Sequence, residues 1–158
     1  MTPLRYGSVC SGIESATMAW HVLGWKPQWF AEIEAFPSAV LAARWPGVPN
    51  LGDFTKISDE VLRERPIDLL VGGTPCVAFS VAGLRRGMAD ARGNLALEFL
   101  RLAGRARPRW VVWENVPGVL SSFSGDAPSP LDSSADGEEW DETGDFGSFL
   151  YGLEELGY

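Results

Sequence analysis

Apolar positions along this chain change period repeatedly, with short continuous runs alternating with helically spaced stretches. Arg5 to Cys10 reads as a strand, and Glu14 to Leu23 as a helix with Ala16, Ala19, Trp20 and Leu23 at helical spacing. A second strand-like run, Gln28 to Ile33, precedes a helix from Ser38 to Trp45 that Pro46-Gly47 stops. Asn50 to Thr55 reads as a turn, Asp59 to Arg65 as a short helix closed by Pro66, and Ile67 to Val71 as a third strand. A long loop to Arg92 leads to a helix over Asn94 to Ala106, and after Pro108 a fourth strand covers Arg109 to Glu114. Beyond an acidic stretch, Phe146 to Leu156 reads as a final helix capped by Gly157.

Strands separated by helices imply crossover connections, so the predicted fold class is α/β, a doubly wound, mostly parallel sheet. The 158 residues, 46% of them hydrophobic, suffice for one core, and no apolar segment is long enough to span a bilayer. The N-terminus lacks a basic region followed by an apolar stretch and a small-residue cleavage site, which predicts a cytoplasmic setting.

Charge is unevenly spread. The net charge of −8 argues at first sight against nucleic acid, but all 13 Lys and Arg residues lie at or before Arg109, against 11 acids from Met1 to Leu120. Ser121 to Tyr158 carries 10 acids and no base, and its Ser/Pro/Gly-rich portion, residues 121–145, is expected to be a flexible solvated loop. The acidity is local and does not exclude a nucleic-acid partner for the first 120 residues.

Candidate chemistry sits at strand ends. Gly72-Gly73-Thr74-Pro75-Cys76 delivers a thiol just beyond the third strand, and Trp113-Glu114-Asn115-Val116 delivers a carboxyl just beyond the fourth. In parallel sheets those ends hold the ligand. A sulfur nucleophile paired with a carboxyl that can hydrogen-bond a ring nitrogen suits attack on a heterocyclic base. The first turn, Ser8 to Ser15, opens the first helix, but Gly12 stands alone where a pyrophosphate-binding fingerprint needs three glycines. Glu32, 20 residues on, occupies a position from which a carboxylate can accept a ribose diol, and Asp53 could receive an adenine amino group. An adenosyl cofactor without phosphates fits that set. The plainer readings stay open: Glu32 and Glu34 as ordinary strand-end acids, Asp53 as a turn residue, Cys10 as a small residue lining the turn. With two cysteines and one histidine, His21, no metal site is expected.

These motifs resemble those of the DNA cytosine-5 methyltransferases. Gly72 to Ser80 (Gly-Gly-Thr-Pro-Cys-Val-Ala-Phe-Ser), Ala91-Arg92-Gly93-Asn94-Leu95 and Trp113-Glu114-Asn115-Val116 carry the resemblance, which extends to Glu32-Ile33-Glu34, Gly52-Asp53-Phe54-Thr55 and the first turn. It implies a Rossmann-like fold, S-adenosylmethionine as cofactor with S-adenosylhomocysteine as product, and double-stranded DNA containing cytosine as substrate. Cys76 would attack C6 of a flipped-out cytosine, with Glu114 holding or protonating N3 and Asn115 beside it. Cys10, Gly12, Ile13, Glu32, Ile33, Asp53, Phe54 and Pro75 would line the cofactor site. A loop bearing Ser80, Arg85, Arg86 and Arg92 would close over the DNA. The resemblance further implies a bacterial or phage restriction-modification setting.

The sequence departs from the family in two places. Cys10, Glu14 and Ser15 stand where the family usually has an aromatic and further glycines, and Ile33 replaces a frequent aromatic. The family's Gln-x-Arg-x-Arg element and target-recognition region have no counterpart here, so residues 1–158 are expected to form the N-terminal part of a catalytic domain. A second polypeptide supplying target recognition is the expected partner. The alternatives are an inactive fragment that binds the cofactor or a partner protein, and a small oxidoreductase or other thiol enzyme on a similar sheet.

Overall fold

The computed structural model describes residues 2–74, 95–121 and 144–158. Its α/β architecture is a four-stranded sheet, parallel throughout, of β1 (Arg5–Val9), β2 (Lys26–Ala31), β3 (Leu69–Gly72) and β4 (Trp110–Trp113) in the order β2-β1-β3-β4. Among the described residues five α-helices accompany it: α1 (Ser15–Trp20), α2 (Ala35–Arg44), α3 (Asp59–Glu64), α4 (Leu95–Ala106) and α5 (Gly144–Glu155). The chain forms two compact units, Met1–Thr74 with Arg101–Glu114, and Pro75–Leu100 with Asn115–Tyr158.

All four strands lie in the first unit, and their order follows from the crossovers. The chain leaves β1 to form β2 on one side and returns to form β3 on the other, so the carboxyl ends of β1 and β3 flank the point where strand order reverses. The pairing register makes those ends level. Val9 lies opposite Ala31 and Gly72, and Gly72 opposite Trp113. The next residues of β2, β1, β3 and β4 are therefore Glu32, Cys10, Gly73 and Glu114, a single row along the sheet's ligand edge.

Burial explains why the strands hold. Tyr6, Leu69 and Val71 form a core cluster against Ala16, Trp20 and Trp25, with the Tyr6 and Trp20 rings edge-on at 5.1 Å. Trp29 and Phe30 are fully buried in β2. The Trp29 indole lies directly over Gly7, where an added Cβ would fall inside the ring. Gly7→Ala is expected to destabilise the protein by about 1–3 kcal/mol, the usual cost of overpacking, read as a lower urea midpoint at unchanged slope. At the opposite edge of the sheet, Asp68 accepts from the Arg5 backbone N–H (2.9 Å) and from its Nε and Nη2, tying β1 to the approach to β3.

The second unit is smaller. Its residues of α4 bury Ala96, Leu97, Phe99 and Leu100, and Phe99 meets Phe149 of α5 with ring centroids 6.3 Å apart. Gly152 lets α5 lie against Leu100, whose Cδ1 is 2.5 Å from where a Cβ would be.

Candidate functional site

Glu32 anchors the β2 side of the row. Its residue is 8% exposed, and its two carboxylate oxygens accept backbone N–H groups, Oε2 from Gly12 at 2.8 Å and Oε1 from Glu34 at 2.8 Å. Asn50 grips the Glu32 backbone from both sides, its Oδ1 accepting from the Glu32 N–H (2.9 Å) and its Nδ2 donating to the Glu32 carbonyl (3.0 Å). The carboxylate is thus oriented before any ligand arrives, and each oxygen keeps acceptor capacity. Asn50, read from sequence as part of a turn, is a positioning residue; its signal was an Asn just ahead of Leu51-Gly52-Asp53.

The first turn joins this carboxylate to α1. Cys10, Gly12 and Glu14 all adopt left-handed conformations, with φ of 49°, 54° and 65°. Among the described residues nothing lies within 4 Å of where a Gly12 Cβ would sit, which leaves room for a ligand to approach the backbone there. Glu14, by contrast, is 1% exposed and caps α1 through Oε1, which accepts from the Thr17 N–H and hydroxyl. Burial pushes its carboxyl pKa up, against the nearby hydroxyls of Ser8, Thr17 and Ser11. Among the described residues no partner meets hydrogen-bond geometry at Oε2, so those hydroxyls soften the burial cost without removing it. The Cys10 thiol is half-buried, and burial, reinforced by Glu32, pushes its pKa up to about 11. Cys10 is therefore a neutral thiol near pH 7.

Ile13 and Ile33 are 57% and 71% exposed, apolar surface on either side of the Glu32–Gly12 bond. Asp53 is committed locally: Oδ1 accepts from the Thr55 N–H and hydroxyl, and Oδ2 pairs with Lys56 at 3.0 Å. These bonds, with the Lys56 charge, hold its carboxyl below the usual range. Phe54 is buried.

At the other end of the row, the Glu114 N–H donates to the Gly72 carbonyl (3.0 Å), and its exposed side chain lies across Gly73. An added Cβ at Gly73 would sit 2.5 Å from Glu114 Oε2. The Trp113 indole N–H donates to the buried Thr74 hydroxyl at 2.9 Å, a second tie between the two strand ends. The sequence places Gly73 and Trp113 in the strand-end motifs but does not register these contacts, which run across strands. Asn115 Oδ1 accepts from the Val116 N–H at 2.9 Å, shaping the chain after Glu114. Cys76, Pro75, Ser80, Arg85, Arg86, Arg92 and most of the acidic stretch lie outside the described residues.

The residues present fit an adenosyl cofactor. A pre-oriented carboxylate can accept a diol, the Gly12 backbone is open, and two exposed isoleucines can cover a ring. With Glu32 and Glu114 on this edge, a polyphosphate would meet repulsion, whereas a sulfonium would be attracted. Glu32→Ala is expected to weaken cofactor binding about 10- to 100-fold, the loss of charge-assisted hydrogen bonds, measured by calorimetric titration. Among the described residues no cluster of His, Cys, Asp and Glu could hold a metal ion, and no helix is long and apolar enough to cross a membrane.

The family model for C-5 cytosine-specific DNA methylase matches residues 4–129. A DNA N-6-adenine-methyltransferase of Escherichia phage P1 is 58% identical over 134 residues, covering 77% of this chain and 18% of that protein. Type II methyltransferase M.AquIA of Picosynechococcus is 37% identical over 127 residues, 76% of this chain and 51% of that protein. The chain thus spans between about a fifth and a half of the curated relatives it matches. The crystal structure of a Spodoptera frugiperda DNMT2 mutant shares the fold, with a TM-score of 0.65 at 18% identity, over 97% of this chain and 41% of that one.

Proposed function

Because the chain belongs to the C-5 cytosine-specific DNA methylase family, we propose that it methylates C5 of cytosine in double-stranded DNA through a covalent Cys76 adduct. The observation that carries this reading is the level row of strand ends, with Glu32 beyond β2 and Glu114 lying on Gly73 beyond β3 and β4. Cys76 follows Gly73 by three residues in the sequence.

C6 of a neutral pyrimidine is a poor electrophile. Thiolate attack by Cys76 becomes favourable when Glu114 hydrogen-bonds or protonates N3, drawing the electron pair of the C5–C6 bond toward C5 as the S–C6 bond forms. S-adenosylmethionine, held by Glu32 and the Gly12 turn, supplies an electrophilic methyl group when bound. Loss of the C5 proton to a base then expels Cys76 as thiolate and restores the ring. Cys10, a neutral thiol, leaves Cys76 as the cysteine suited to attack. Arg85, Arg86 and Arg92 would contact phosphates and, with Ser80, fill the space left by the extruded base. The chain spans about a fifth to a half of its relatives' length, so activity is measured together with a polypeptide that supplies target recognition.

A second reading is adenine N6 methylation, favoured by the 58% identity to the phage P1 protein. The match covers 18% of that protein, most of whose length lies outside the matched part. An exocyclic amine attacks a methyl donor with its own lone pair and needs no thiol, so the Pro75-Cys76 and Glu114-Asn115 pair favours C5. Nucleoside mass spectrometry of DNA treated with the chain and a target-recognition polypeptide separates the two. 5-Methylcytosine is expected, and N6-methyladenine would establish the second reading instead. An inactive cofactor-binding chain would titrate with S-adenosylhomocysteine yet yield neither product.

A further inference from the structure

Glu14 has no part in the proposed reaction, yet it is among the most completely buried side chains of the molecule. Its backbone φ of 65° is one that glycine adopts freely and a side-chain-bearing residue does not. A buried acid in a strained position persists where the surroundings hold it there. Those surroundings form a chain of hydrogen bonds. Glu14 Oε1 accepts from the Thr17 N–H (3.2 Å) and hydroxyl (3.1 Å), and the Thr17 hydroxyl pairs with the buried Tyr6 hydroxyl at 2.6 Å. On the other flank the Glu14 N–H donates to the Ser11 carbonyl (2.9 Å), while the Ser11 hydroxyl donates to the Ser8 carbonyl and accepts from the Ala31 N–H. Gly12, between these anchors, presents its N–H to Glu32.

We propose that Glu14 is a positioning residue for cofactor binding: its side chain, tied through Thr17 to Tyr6 of β1, sets the left-handed turn that aims Gly12 and Glu32 at the adenosyl group. The turn is thus shaped by a buried polar brace rather than by glycine. A glycine at position 14 would relieve the φ strain but release the turn from α1. Glutamine would keep an Oε1 acceptor and with it both bonds from Thr17. This inference rests on the cofactor reading above.

Calorimetric titration of the 158-residue chain with S-adenosylhomocysteine, alongside thermal unfolding, tests it. Glu14→Gly should bind about tenfold more weakly at a Tm close to that of the wild type, because strain relief offsets the lost cap. Glu14→Gln should bind within about threefold of wild type. Wild-type affinity in Glu14→Gly, or an equal loss in Glu14→Gln, would overturn the proposal, the latter by assigning the effect to charge. Should Glu14→Gly fail to fold, Thr17→Val removes the hydroxyl link and is expected to weaken binding about threefold, with unchanged affinity counting against the brace. A flat titration of folded wild-type chain would instead remove the cofactor reading itself.

Discussion

Cys76→Ser is expected to abolish covalent capture of a duplex containing 5-fluorocytosine and to lower methyl transfer by about 10,000-fold or more, the scale on which covalent catalysts lose rate without their nucleophile. The reason lies in the thiol. A serine hydroxyl has no nearby base assigned to it here and is a far poorer nucleophile near pH 7, whereas a cysteine is partly thiolate. Fluorine at C5 blocks loss of the C5 substituent, so the S–C6 bond persists and the adduct survives denaturing electrophoresis. Measured on the chain together with a target-recognition polypeptide, an adduct that survives Cys76→Ser would remove Cys76 from the mechanism. Cys10 provides an internal control: with its pKa pushed up to about 11 it should not substitute for the missing thiol.

The second large effect is expected at Gly73. An alanine there places Cβ 2.5 Å from Glu114 Oε2, and the backbone of β3 cannot yield because Gly72 is paired on both sides, to Val9 and to Trp113. The carboxyl must swing away instead. Displacement of a catalytic group by about 1 Å costs about 100-fold in rate, and Gly73→Ala should lower methyl transfer by that amount. Binding of S-adenosylhomocysteine should stay within about threefold, since the Glu32 and Gly12 end of the row is untouched. Glu114→Gln, which removes the proton donor without a steric change, should cost about 100- to 1,000-fold. Similar losses in both variants, with cofactor binding retained, would tie the Gly73 effect to the carboxyl it supports. Full activity in Gly73→Ala would show that Glu114 does not act from the position seen here.

The parallel α/β sheet was largely legible in the sequence, and the reasons are physical. Continuous apolar runs such as Leu69 to Val71 can be buried on both faces in a parallel sheet, so the runs themselves mark the strands. Boundaries were less legible. The second strand begins at Lys26 rather than Gln28 because pairing starts at Arg5 and Lys26, with Lys26 N–H donating to the Leu4 carbonyl. Helix α2 begins at Ala35 although Pro37 lies within it. Proline is tolerated in a first turn, where its missing N–H has no intrahelical acceptor, and a reading that starts the helix after Pro37 loses three residues. The last part of the Glu14 to Leu23 pattern tightens into a 3-10 turn over His21–Leu23, ended by left-handed Gly24.

The site divides in the same way. Glu32 and Glu114 stand out because they follow apolar runs directly, and strand register then fixes where they point. Gly73, Asn50, Trp113 and the burial of Glu14 depend on residues 12 to 41 positions away or on the shape of a turn, which residue spacing does not encode. Asp53 shows the converse. Its Gly-Asp setting permitted both a ligand and a turn role, and its bonds to Thr55 and Lys56 establish the turn role while leaving its proposed adenine contact dependent on exchange of the exposed Lys56 pair.

The proposed reaction requires the Cys76 thiol, the Glu114 carboxyl and the sulfonium donor to meet at one base. A crystal structure of the chain with S-adenosylhomocysteine tests it most directly. The ribose is expected on Glu32, with the cofactor sulfur, Cys76 Sγ and the Glu114 carboxyl converging on one site. A cofactor bound away from Glu32 and Gly12, or a Cys76 sulfur facing away from the Glu114 carboxyl, would contradict it.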